Sequence, residues 1–419
     1  MKQLLVRIPA KLNDRSLLNF FAGWEWREEE ATELVVDLRE CEFLAPWALT
    51  LACAYALWYV EEFDTDGRIQ FDPSTAVGRY AVQAGLYELL EWNRPEGSAG
   101  TLGVLTSPLR QITDEDQIPE AATSISKVLA LGDTALEDAV RYSLIELLRN
   151  VVQHSRSRIG AVVMAQYYPN TGLVEIVVAD TGIGILSTLK PRYGSLRNDM
   201  AALKFSLLPH VSGTFSKGAY DTMRDNAGLG LFFISQIAAE GRGDFFLASG
   251  ESMVNIWGKA NGELGRRYQP SRTGGWRGTF AVLQLRRDSI KEFDAVLRRC
   301  RALAAEARKS PGNWFVDFVD EIPPAVNGMV VVRVIDFDEN VDRAAAVRDQ
   351  VIAPALENHR VVVLDFDGIR FATQSFVHAL MYELIRDLVE VRTCLVIARA
   401  SDATQEAIRA VAAYASTSK

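Results

Sequence analysis

The sequence predicts an α+β protein of several domains. Its centre should be an α/β sandwich, with helices on one face of a mainly antiparallel sheet, and a small α/β domain should flank it on each side. Three observations lead there. A chain of 419 residues favours two or three domains over one. Its central part alternates apolar strand-like runs with amphipathic stretches of helical period. Both ends carry the same strand-then-helix pattern.

Composition narrows the function classes. With 48% hydrophobic and 24% charged residues, each part can bury an ordinary core. The net charge of -9 argues against a general nucleic-acid binder, which needs excess Lys and Arg to displace phosphate counterions. The basic runs Arg266-Arg267 with Arg272 and Arg277, and Arg298-Arg299 with Arg301, read as solvated faces. Cys41, Cys53, Cys300 and Cys394 are far apart and form no CxxC, so neither a zinc site nor a disulfide framework is expected, which suits a reducing compartment. The apolar run at the N-terminus is too short for a signal peptide. Residues 44–60 are uncharged but only 17 long, whereas a membrane span needs about 20 apolar residues. With Pro46 early and Glu61-Glu62 after it, this segment reads as a buried helix, and the chain as soluble and cytoplasmic.

The elements follow in order. In the N-terminal domain, residues 1–105, Val35-Val-Asp37 ends a strand, and Phe43 precedes the apolar helix. The central domain, residues 106–288, starts as an extended stretch near 102–112, followed by an acidic connector. A long helix should start near Thr134, which with Glu137 has capping-box spacing. Leu136, Val140, Leu144, Leu147, Leu148, Val151 and Val152 give it one buried face. Strands at 161–168 and 173–179 flank a Pro-Asn-Thr-Gly turn. A helix over 229–240 stops at Gly241, and strands near 244–248, 253–257 and 279–285 complete the sheet. Residues 289–325 read as an Arg-rich helical linker to a C-terminal domain at 326–419. There, 329–335 and 361–366 should be strands and 343–356 a helix. Val363-Leu-Asp365 to Phe371 repeats the N-terminal pattern.

Four short segments of the centre carry chemistry. Glu146 and Asn150, in Glu146-Leu-Leu-Arg-Asn150, lie four apart and project from one helix face. A carboxamide oxygen can bind Mg²⁺, and a carboxylate one turn away can orient or deprotonate a water. Alone, the pair would be an ordinary amphipathic helix. In Asp180-Thr-Gly182-Ile-Gly184 an acceptor ends a strand, and the glycines let backbone pass close to a ligand. Taken singly, it is a strand-ending turn. Ser187 stands where a dinucleotide fingerprint requires a third Gly, and no GxxxxGK[ST] exists to make a P-loop. Asn226-Ala-Gly228-Leu229-Gly230 opens a helix whose amides suit phosphates. Gly278-Thr279 begins the last strand.

Together and in this order, the four segments resemble the GHKL ATPase superfamily, which includes gyrase B subunits, heat-shock chaperones, mismatch-repair ATPases, histidine kinases and anti-sigma kinases. The resemblance implies a Bergerat fold that takes ATP and Mg²⁺. It makes Glu146 the general base, Asn150 the metal ligand, Asp180 the acceptor for the adenine amino group and Thr279 its support. Gly182, Gly184, Gly228, Leu229 and Gly230 line the nucleotide. The long connection at about 185–225 takes the place of the family's ATP lid, where Lys217 could reach a phosphate and Arg192, Arg197 and Lys204 read equally as surface charge. His154 is expected to be packed or to cap, not to act as an acid or base.

The flanking domains resemble STAS domains, the fold of anti-sigma-factor antagonists, the C-terminal copy more closely. In that family a Ser at the strand-to-helix junction is phosphorylated. Ser375 takes its place here, with a helix N-cap as the preferred reading, while Trp47 stands there in the N-terminal copy. The resemblances together imply an ATP-hydrolysing signalling protein whose nucleotide state controls its STAS-like domains or a protein partner, a sigma-regulatory protein for example, or the pairing of two chains. The alternatives are a serine kinase of anti-sigma type acting on a STAS domain, and an adaptor that binds ATP without turnover. No dimerising helix with a phosphoacceptor His precedes the site, which disfavours a histidine kinase.

Overall fold

The computed structural model describes residues 3–8, 17–90, 105–129, 132–191, 193, 196, 198–209, 211, 229–258, 264–309, 316–326, 328–337, 340–388 and 391–417. The chain is α+β and divides into two compact units. One comprises Met1–Arg192 with Ser212–Arg298, the other Tyr193–Val211 with Arg299–Lys419.

The first unit joins the N-terminal and central segments. Its N-terminal elements are β1 (Gln3–Arg7), α1 (Leu17–Ala22), β2 (Glu33–Asp37), α2 (Pro46–Phe63), β3 (Asp66–Gln70), α3 (Ala76–Gln83) and α4 (Leu86–Leu90). The three strands run parallel with β2 in the middle. The central elements are β4 (Arg110–Ile112), α5 (Ile118–Val128), α6 (Thr134–Asn150), β5 (Ala161–Tyr168), β6 (Leu173–Asp180) and α7 (Gly184–Leu189). After α8 (Asp199–Ser206), which belongs to the second unit, come α9 (Gly230–Glu240), β7 (Asp244–Gly250), β8 (Ser252–Gly258), β9 (Leu264–Pro270) and β10 (Trp276–Arg286). The seven strands β4 to β10 form one sheet in the order β4-β5-β6-β10-β7-β8-β9, antiparallel throughout.

Helix α6 starts where its apolar period begins, but Asp133 and not Thr134 is the cap: its side chain accepts from the Leu136 amide. Only 110–112 of the extended stretch pairs into the sheet. Helices α6 and α9 pack on one face, as expected. The other face is covered too, since α2 packs against β5 and β6. Val162, Met164, Val177, Ala179, Phe246, Ala248, Phe280 and Val282 share a core with Phe21, Trp24, Trp47, Tyr55 and Trp58. The intervening Ile176, Val178, Ala281 and Leu283 are buried as well. Strands covered on both faces read as nearly unbroken apolar runs, and those of β5, β6 and β10 are of this kind. A helix that is apolar on all sides needs cover on all sides, which explains the uncharged run in α2. Trp47 at its start is fully buried, and truncating it would cost about 3–5 kcal/mol. Among the described residues, no helix is long and apolar enough to cross a membrane.

The second unit contains the remainder of α10 (Phe293–Lys309), then β11 (Asp317–Val319), β12 (Val330–Arg333), α11 (Val341–Val347), α12 (Ala353–Glu357), β13 (Val362–Asp365), α13 (Gln374–Asp387), α14 (Val391–Cys394), β14 (Leu395–Ala398) and α15 (Asp402–Thr417). Its four-stranded parallel sheet has the order β11-β14-β13-β12. Strand β11 lies inside the segment expected to be helical linker. The strand expected over 329–335 yields to a 3-10 turn at Val334–Phe337. The helix expected over 343–356 is interrupted by a π-helical turn, Arg348–Ile352, because Pro354 cannot donate the hydrogen bond that would continue α11.

The two ends share an Asp–Arg pair at a strand end, though Arg39 is local and Arg399 follows β14. Asp37 closes β2 and is held by Arg39, whose Nε donates to Oδ1 at 2.8 Å; Asp365 closes β13 and accepts from Arg399 Nε at 2.9 Å. Phe43 and Phe371, the same distance beyond, are both more than half exposed.

Candidate functional site

Half of the site is built where β6 ends and β10 begins. Asp180 is the last residue of β6, and Thr279 on β10 is its cross-strand partner, so both side chains stand on one sheet face. Asp180 is 1% exposed. Its Oδ1 accepts from the Gly182 amide at 2.8 Å, and its backbone carbonyl accepts from Trp276 Nε1 at 2.8 Å. Burial pushes its carboxyl up to about 7, against the lowering pull of the Gly182 amide and the Thr279 amide and hydroxyl.

The glycines are required by contact. A Cβ on Gly278 would lie 2.3 Å from the Asp180 carbonyl oxygen and 2.7 Å from Oδ1, and one on Gly182 would lie 2.0 Å from the Ser155 carbonyl oxygen. Gly184 sits beside Ser249, whose Oγ accepts from the Ile185 amide at 2.9 Å and donates to the Gly278 carbonyl at 2.8 Å. Ile183 stays partly exposed next to this turn.

The other half comes from α6. Glu146 and Asn150 both point at the first residue of α9: a Cβ on Gly230 would stand 2.6 Å from Glu146 Oε2 and 3.7 Å from Asn150 Nδ2. Glu146 is half-buried, and burial raises its carboxyl above the usual range while Arg149 opposes that shift. The Asn150 amide nitrogen is buried and finds no hydrogen-bond partner among the described residues. Leu229, before α9, supplies no side-chain cap to the helix amides. The halves meet through a π-helical turn, Val151–Ser155, directly after Asn150: the Ser155 carbonyl accepts from the Ile183 amide at 2.8 Å. His154 in this turn is half-buried, with its pKa lowered by burial.

Glu146, Asn150, Asp180, Gly182, Gly184, Leu229, Gly230 and Thr279 therefore belong to one region. Lys217, Gly228, Arg192 and Arg197 lie outside the described residues. Lys204 is no surface charge. It is 8% exposed on α8, and its Nζ lies 3.6 Å from Asp317 Oδ2 of β11, in the second unit. Ser375 is not the cap of α13 either: Thr373 is, accepting from the Phe376 amide, and Ser375 is exposed one residue inside the helix. Sequence reasoning missed Ser249 and Trp276. A serine in the apolar run of β7 and a tryptophan two residues before Gly278 were the available signals.

The chemistry of the set fits a nucleotide with a divalent cation. An orphaned carboxamide costs about 1–3 kcal/mol until something satisfies it. Its oxygen and nitrogen exchange places by a simple rotation, so either can be presented to a ligand. The same set holds an acceptor at Asp180, a helix α9 whose start takes no side-chain cap among the described residues, and a carboxylate with raised pKa at Glu146. No protein-family model matches this sequence. No curated protein matches it.

Proposed function

We propose that the chain binds ATP with Mg²⁺ in the first unit, hydrolyses it, and uses its nucleotide state to control its STAS-like ends or a protein partner. On this reading the seven-stranded sheet with α6 and α9 is a Bergerat fold. The observation that carries it is the meeting of four segments, separated in sequence, at one place: Asp180 opposite Thr279, with Glu146 and Asn150 converging on Gly230. Bound Mg²⁺ would neutralise phosphate charge and activate the terminal phosphoryl group. The ionised Asp180 accepts from the adenine amino group and Thr279 holds that carboxylate in place. Asn150 offers its carboxamide oxygen to the cation, and the first amides of α9 face the phosphates. Glu146 takes the proton of the attacking water, a task that its raised pKa suits.

Calorimetry with Mg²⁺ and ATP tests this. Asp180→Asn should lose binding, while Glu146→Ala should bind ATP and turn it over at background rate. Unchanged turnover in the second variant would remove Glu146 from the mechanism. No heat with ATP or a non-hydrolysable mimic would end the nucleotide reading.

A serine-kinase reading has one observation in its favour. The Ser375 hydroxyl is exposed and is not used to cap α13, so it stands open to modification. Label from γ-labelled ATP on protein, lost in Ser375→Ala, would favour it. Label found only as free phosphate would favour hydrolysis.

A further inference from the structure

The loop that leads into Gly278-Thr279 is stitched to the N-terminal part of the chain. The Arg272 amide donates to the Ala22 carbonyl at 2.9 Å, and Thr273 Oγ1 donates to the Trp24 carbonyl at 2.6 Å. Gly274 bridges Glu25 in antiparallel fashion. Arg277 Nη1 lies 3.1 Å from Glu28 Oε1, and its guanidinium sits over the Trp58 ring. Between these ties, the Trp276 ring packs edge-on against Trp26, with centroids 5.1 Å apart, and against Phe280 at 5.4 Å. Its indole N–H donates to the Asp180 carbonyl.

We infer that Trp276 is a positioning residue of the nucleotide site, and that residues 22–28 of the N-terminal part hold it there. A loop containing Gly274-Gly275 is conformationally permissive, with both glycines at positive φ, so its shape must come from what it binds. What it binds is the end of α1 and the stretch that follows it. Trp276 then fixes the peptide carbonyl of Asp180, and so the aim of the carboxyl that reads adenine. The N-terminal part thereby gains a route by which its own state alters nucleotide affinity. This inference rests on the ATP reading.

Full-length Trp276→Phe and Thr273→Val test it, with affinities for ATP and GTP measured by calorimetry and folding followed by circular dichroism. Trp276→Phe keeps an aromatic ring and deletes the indole donor. It should remain folded and lose ATP affinity by about tenfold, the worth of one misplaced hydrogen-bond acceptor, while GTP binding changes little. Thr273→Val, in an exposed part of the loop, should shift adenine preference in the same direction by less, and it carries the test should Trp276→Phe not fold. Wild-type ATP affinity and preference in folded variants would overturn the inference. Failure of the wild-type chain to bind ATP would instead overturn the nucleotide reading. Positioning would then be decided in the ligand-free protein, by whether the carbon-labelled Asp180 carboxyl titrates at a different pH in Trp276→Phe or in Thr273→Val.

Discussion

Asp180 and Thr279 face each other across the β6–β10 pair, and the carboxyl between them titrates near neutrality, at about 7. Only the ionised form has its full acceptor capacity for an adenine amino group. Affinity for adenosine, which carries no phosphate to titrate, should therefore rise with pH and level off above about 7. Below that point it should fall by about tenfold per unit. Binding measured from pH 5.5 to 8.5 checks this, and a flat profile would count against Asp180 as the acceptor. Stability should move the other way. The folded-state value lies above the 3.8 expected for an unfolded Asp, so between the two the folded state binds more protons, and stability falls as pH rises through that window.

Three glycines of the site should respond differently to alanine. Gly278 has φ +89, and its Cβ would meet backbone; at Gly182 the obstacle is the Ser155 carbonyl oxygen. Neither can yield cheaply, so Gly278→Ala and Gly182→Ala should each cost about 1–3 kcal/mol and lower the melting temperature by several degrees. The obstacle at Gly230 is the end of the flexible Glu146 side chain. Gly230→Ala should keep the wild-type melting temperature and lose turnover, because the displaced carboxylate is the proposed base. Equal thermal losses in all three would contradict the contact geometry.

The candidate site was legible only through the order of its four segments, each of which alone reads as ordinary structure, while the elements that carry them are strongly patterned. Glu146 and Asn150 lie on a helix with an unmistakable apolar face, and Asp180 ends a strand whose bounds follow from its hydrophobic run. What escaped depends on partners distant in the chain. The doubly covered sheet was signalled by the unbroken apolar runs of β5 and β6, but nothing local says that α2 is the cover. Strand β9, LGRRYQP, is a polar edge strand with no alternation to reveal it. Asp133 and Thr134 are adjacent candidates for one cap, and only backbone geometry chooses between them. Lys204 carries no pattern at all, since its counter-charge is on β11.

That pair makes its own prediction. Lys204 Nζ and Asp317 Oδ2 are 3.6 Å apart, with the lysine buried and the aspartate about three-quarters covered. Removing one partner from a largely buried pair costs more than replacing both with apolar groups, which is often neutral. Asp317→Ala should cost the second unit roughly 1–3 kcal/mol, discounted for the partial exposure of the aspartate. Lys204→Met with Asp317→Leu should recover most of it. Denaturant melts of the single and double variants measure this, and an additive double loss would show that the two residues do not interact.

Thr373 and Ser375 begin α13 with separable roles. Thr373 accepts from the Phe376 amide and caps the helix, so Thr373→Ala should cost about 1 kcal/mol. Ser375 is exposed and makes no cap, and Ser375→Ala should leave stability within about 0.5 kcal/mol of wild type. Thermal melts of the two variants therefore separate structure from modification before any labelling is done. With that control, loss of protein-bound label in Ser375→Ala reports a missing acceptor and not a damaged fold. If Ser375→Ala melts early instead, its hydroxyl is structural, and the one observation that favours the kinase reading disappears.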